Sequence, residues 1–212
     1  MSSVKITDMR ISVLFLLCIC TPFAVFGQAH AQDSSLPAVG SYTEDARTAR
    51  INDLKTTYRI VLTDKEKELV SSRCVEAQKS LSKIRSRLKS VKSERETTYD
   101  SVVSSLTNLK LRFENKQIDP SNLDLLIVSY QQKEANFISS TANYDTALED
   151  AVTIDCVADP IGFRASLEGV RGARKTVVGV SAEIKEITKA SLTTTFDSLK
   201  LKLLTKEVKS GE

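Results

Sequence analysis

Apolar residues are distributed along this chain in three regimes. From Ile11 to Gly27 every position is apolar or small apart from Ser12, Thr21 and Pro22. Residues 32–44, with Pro37, Gly40 and several serines, show no period and read as a flexible lead-in. From there to the C-terminus apolar side chains recur at steps of three and four, the spacing of one helical face.

That spacing predicts four elements. Ile51, Leu54, Tyr58 and Val61 mark a short amphipathic helix over about residues 44–60. Thr63 and Glu66 form a Thr-x-x-Glu capping box, so a long helix begins there. Its strip runs Val70, Cys74, Ala77, Leu81, Ile84, Leu88 and Val91, a coiled-coil-type seam. The strip then meets Arg95 and Thr98 and resumes at Val102, Leu106, Leu109 and Phe113, which predicts a stutter or local unwinding near residues 95–106.

Asp119 as N-cap with Pro120 in the first helical position opens a second long helix, seamed by Leu123, Ile127, Tyr130, Glu134, Phe137, Thr141, Tyr144 and Leu148. Asp159-Pro160 opens a third, running through Phe163, Leu167, Val170, Val177 and Ile184 to Leu199 and Leu203. This helix also carries Ala165, Gly169, Gly172, Thr176 and Gly179 on one face. Two readings stand: a surface that another backbone approaches closely, or glycine tolerated within a packed helix.

The N-terminus changes the setting of these helices. Lys5 and Arg10 precede the apolar run, and Ala29-His30-Ala31 follows it with small residues at the −3 and −1 positions of a peptidase site. Residues 1–31 are therefore expected to be a signal peptide cleaved after Ala31, which places the chain outside the cytoplasm, in the periplasm, at the cell surface or beyond. The competing reading is an uncleaved anchor, since the run sits at the lower limit of the roughly 17–25 residues that span a bilayer. Lipid attachment at Cys18 or Cys20 is disfavoured, because Leu17 and Ile19 precede them where a small residue is required.

Cleavage would also remove His30, the one histidine in the chain, and leave Cys74 and Cys156 as the two remaining cysteines. Histidine-based nucleophilic and metal sites are then excluded, and an even number of cysteines in an exported chain reads as a disulfide. Helix lengths agree. At about 1.5 Å per residue, Cys74 lies roughly 63 Å before the first turn, and the second helix with a short extension returns about as far. The expected architecture is all-α: an elongated antiparallel bundle of three long helices over residues 45–209, with the short N-terminal amphipathic helix and one disulfide, Cys74–Cys156.

Charge is segmental. Residues 45–118 carry 17 basic and 10 acidic side chains, residues 119–159 carry 1 and 8, and residues 160–212 carry 10 and 6. An acidic middle helix can flank both seams with charges opposite to its neighbours', while solvated charged faces are the alternative. The most basic stretch holds Lys79, Lys83, Arg85, Arg87, Lys89, Lys92 and Arg95, a candidate contact surface for anionic polymers or head groups. The densest carboxylates are Glu149, Asp150 and Asp155, read as solvated helix-end acids in preference to an acid/base pair.

Arg73-Cys74, Ala77-Gln78, Ile118-Asp119 and Asp155-Cys156-x-x-Asp159-Pro160-x-x-Phe163, together with the N-terminal signal, resemble exported helical, coiled-coil-like proteins of small-genome candidate-phylum bacteria. The resemblance covers roughly residues 70–205. It implies a long helical fold and an extracytoplasmic location, and brings with it no activity, cofactor or active-site residue.

Together these features point to a non-enzymatic exported scaffold or interaction protein of the cell envelope, without cofactor or metal. The alternatives are a holdase-type chaperone and a binding module for anionic polymers. Candidate partners are another protein, a second copy of the chain, or an anionic envelope polymer; a membrane joins them only if the N-terminal segment is retained.

Overall fold

The computed structural model describes residues 43–210, with side chains described through Thr205. The expected signal peptide over residues 1–31, with its apolar run, and the expected lead-in as far as residue 42 lie outside the described residues. All elements among the described residues are helical: α1 (Glu44–Tyr58), α2 (Asp64–Asn115), α3 (Ser121–Thr153), α4 (Pro160–Glu186) and α5 (Leu192–Ser210), the last two joined by a π-turn at Ile187–Ser191.

The boundaries follow from local chemistry. The Thr63 hydroxyl accepts from the Glu66 amide while the Glu66 carboxylate accepts from the Thr63 amide, the reciprocal box that the sequence predicts. α2 closes with Gln117 in the left-handed region (φ 54°), and the Ile118 amide donates back to the Phe113 carbonyl at 3.0 Å. This is a Schellman closure, made by glutamine where glycine would be free of strain, and its Ile118–Phe113 hydrophobic contact belongs to the core. At α4, Asp159 caps the Gly162 amide at 2.9 Å and Pro160 takes the first turn, as expected. At α3 the sequence expectation is one residue early. Pro120 itself occupies the cap, and Asp119 binds the Ser121 amide from outside the helix at 3.0 Å.

α3 packs against both α2 and α4, α2 and α4 also touch, and α1 lies on α4. The α3 seam is regular: Leu123, Tyr130, Phe137, Tyr144 and Ala151, at steps of seven, are all buried, as are Ile127, Thr141 and Leu148 of the companion row. The one expected seam residue of α3 that is not fully buried is Glu134.

α2 departs from the expected strip. Cys74, Leu81, Tyr99, Leu106 and Phe113 are buried, but Ile84 and Val91 are 44% and 38% exposed. A row at steps of seven, Cys74–Leu81–Leu88, jumps eleven residues to Tyr99 and then resumes at seven. An eleven-residue step is a heptad plus a stutter, so the helix stays continuous and no unwinding occurs. Ile84 and Val91 sit about 60–80° from the buried row and fall outside it.

Three core clusters result. One surrounds the disulfide with Ile51, Leu81, Tyr144, Leu148, Phe163 and Val170. The middle one stacks Tyr99 edge-on against Tyr130 and Phe137, with centroids 6.1 and 5.2 Å apart, beside Ile184. The third, at the α2–α3 turn, joins Leu106, Phe113, Leu123 and Ile127 to Leu199 of α5.

Candidate functional site

Apart from Ile118-Asp119, which lies at the α2–α3 turn, the residues that carry the sequence resemblance gather at the disulfide end. Cys74 and Cys156 are bonded, with Cα atoms 6.0 Å apart across 82 positions of sequence, and each is 2% exposed. One helical turn beyond Cys74, the Gln78 amide donates to the Ile154 and Ala151 carbonyls at 2.8 and 3.3 Å. Those are orphan carbonyls at the α3 C-terminus, so a side chain of α2 caps a neighbouring helix.

Asp155 then accepts the Val157 and Ala158 amides at 3.1 and 3.0 Å, turning the chain through Cys156 towards Asp159. Asp159 divides its oxygens between the Gly162 amide and the Lys55 ammonium of α1, the latter at 2.6 Å. Phe163 is buried beside the disulfide. Every part of the Asp155-Cys156-x-x-Asp159-Pro160-x-x-Phe163 motif thus has a bonding or packing task.

The acidic group of Glu149, Asp150 and Asp155 is divided among separate tasks. Asp150, almost fully buried, receives a two-pronged bond from Arg50 of α1 at 2.7 and 2.8 Å. Glu149 and Asp145 share Arg85 of α2 at 2.8 and 2.9 Å. Asp155 holds its turn. No group of three His, Cys, Asp or Glu residues among those described could hold a metal ion.

The basic stretch divides in two. Arg85 faces α3 and its charge serves that ion pair, so the structure removes it from the outer surface. Arg95 donates to the Ser181 hydroxyl of α4 at 3.0 Å and lies over the Phe137 ring at 5.9 Å. Lys92 reaches Glu96 on its own helix at 3.7 Å. Lys79, Lys83, Arg87 and Lys89 are exposed and form no ion pair among the described residues. Lys79, Lys83 and Arg87, at steps of four, make one stripe with about 6 Å between neighbours.

The segmental charge expectation holds in particular pairs: Arg85 and Lys110 of α2 and Arg50 of α1 bind acids of α3. Sequence reasoning missed two positions. Lys133, the lone base of α3, binds Glu183 of α4 at 2.6 Å, reversing the general polarity. Lys202 of α5 binds Asp119 at 2.9 Å, and with the Ser121 contacts this holds the Asp119 carboxyl at about 2.

The described helices contain none long and apolar enough to cross a membrane. No family model, curated protein or solved structure matches this chain.

Proposed function

We propose that this chain is an exported, non-enzymatic helical scaffold or interaction protein of the cell envelope or surface. In this reading its three long helices run as an elongated antiparallel bundle, with α1 laid over the disulfide end. The observation that carries it is the concentration of cysteines, capping carboxylates and Gln78 on joining helices. Side chains of the kind that could do chemistry are there bonded to helix ends or to one another.

α2 alone, with 52 residues, is about 78 Å long. A compact domain of this chain length has a radius of gyration near 17 Å. Small-angle scattering of the purified protein should therefore give a larger radius and a maximum dimension of at least about 80 Å. Alkylation in intact cells followed by mass analysis should find Cys74 and Cys156 protected until a reductant is added. Free thiols at both positions, or a scattering profile of a compact globule, would overturn the reading.

A second reading has its own support. The Lys79, Lys83 and Arg87 stripe faces solvent and forms no ion pair among the described residues, which suits a linear polyanion. Polyphosphate should bind with an affinity that falls steeply with salt, and replacing the three cations by glutamine should flatten that slope. Absence of binding at low ionic strength would dismiss it.

A further inference from the structure

The α2 strip is interrupted at Arg95 and Thr98, where the seven-residue rhythm calls for apolar side chains. Opposite this interruption α4 loses its regular turn at the π-segment Ile187–Ser191. π-turns of this kind are frequent at functional sites. Between the two irregularities the helices form an open surface cleft of about 640 Å³, within the roughly 300–1,000 Å³ of small-molecule sites.

Tyr99, Tyr130, Val102 and Ile184 give the cleft its apolar and aromatic floor. Its rim carries Arg95, Lys185 and Lys189, and no carboxylate lines it. Lys185 and Lys189 are exposed, stand one turn apart on α4 and the π-turn, and form no ion pair among the described residues. Glu183, two residues before Lys185, is bonded to Lys133 of α3.

We propose that this cleft binds a single-chain amphiphilic anion, its apolar body against Tyr99, Val102 and Ile184 and its head group between Arg95, Lys185 and Lys189. The floor alone would accept any apolar molecule. Three cations on the rim without a carboxylate favour the anionic one, since they attract an anionic head and repel an ammonium head. The head-group chemistry is shared by free fatty acids and by lipid-derived monoesters of phosphate.

The test is titration calorimetry of the full chain with dodecanoate, dodecyl phosphate and dodecanol, each below its aggregation concentration. Both anions should bind saturably, and dodecanol at least about tenfold more weakly. An advantage of dodecyl phosphate over dodecanoate would identify the phosphate-bearing source; an advantage of dodecanoate would identify the free acid. The double substitution Lys185→Gln and Lys189→Gln, at exposed positions, should leave the circular dichroism unchanged and weaken both anions about tenfold or more. Equal affinity of the double variant, equal binding of dodecanol, or no saturable binding of either anion would overturn the proposal.

Discussion

Arg50 of α1 and Asp150 of α3, one hundred residues apart in sequence, meet side on, Nη2 at 2.7 Å from Oδ1 and Nε at 2.8 Å from Oδ2. The two ends differ in environment: the Asp150 side chain is 4% exposed, that of Arg50 38%. Removing the arginine strands a buried carboxylate, whereas removing the carboxylate leaves a guanidinium that water can reach. Arg50→Ala should therefore cost about 3 kcal/mol, and Asp150→Asn clearly less. Combining the two should recover part of the arginine loss, as urea denaturation of the four proteins of a double-mutant cycle would measure.

The disulfide should be the largest single covalent contribution at its end of the molecule. Reduction, or Cys74→Ser with Cys156→Ser, is expected to cost about 2–4 kcal/mol by releasing an 82-residue span of the unfolded chain. Hydrogen exchange should quicken first around Ile154–Asp159, where the chain turns through Cys156. The cluster around Phe113, Leu123 and Leu199 should keep its protection. Equal loss of protection at both ends would mean that the bond acts on the whole fold at once.

Glu134 occupies the α3 seam between Ile127 and Thr141, where Asp100 and Glu96 of α2 face it and Lys133 is engaged with Glu183. Burial, then the Asp100 carboxylate, pushes its carboxyl above the usual value of 4.5. A raised carboxyl makes the charged form a penalty on the folded state, present above the folded value and relieved as pH falls through it. Glu134→Gln should therefore stabilise at pH 7 by roughly 0.5 kcal/mol, after allowance for solvent screening. The gain should shrink as pH falls through the raised value and end below the ordinary carboxylate range. Asp119, held at about 2, acts in the opposite sense: its contribution is present above 3.8 and lost as pH falls towards 2. Stability curves of the wild type and Glu134→Gln across pH 3–7 would show whether they converge on the acid side.

How much of this was legible in the sequence depended on the regularity of each helix. The buried face of α3 is legible almost residue by residue, because an unbroken heptad fixes it. The cysteine pairing was legible for the same reason, since two helix lengths and a short turn determine which positions come level. At Ile84 and Val91 of α2 the sequence pattern and the buried row disagree, because apolar identity at a three-or-four step does not reveal the phase of a helix whose partner row skips eleven. The stutter was visible as Arg95 and Thr98, but its resolution as a continuous helix depended on Tyr99 stacking with Tyr130 and Phe137. The cleft opposite it was not legible at all. It requires the π-turn at Ile187–Ser191, which no residue in that stretch announces, and the convergence of Arg95 with Lys185 and Lys189, ninety residues away in sequence.

The small residues of α4 separate into distinct cases once their surroundings are known. A side chain at Gly162 would collide with the Asp159 carboxylate and with Ile154 Cδ1 at 2.8 Å, disturbing the cap that starts the helix. At Gly169 the methyl would press on Leu54 of α1 at 3.0 and 3.2 Å, and at Gly172 on the Tyr58 hydroxyl at 3.3 Å, so the close neighbours there are side chains and not another backbone. At Gly179 it would meet nothing within 4 Å. Gly162→Ala should thus destabilise by about 1–2 kcal/mol through loss of the cap. Gly179→Ala should stabilise by about 0.5–1 kcal/mol through helix propensity and a less flexible unfolded chain. Thermal unfolding would rank them, and its concentration dependence adds a second reading. If Gly179 instead lay on a face used by a second copy of the chain, alanine there would lower the midpoint at high protein concentration. An alanine gain at Gly179 that is the same at all concentrations would show that no second copy of the chain packs on it, in keeping with the open space around it.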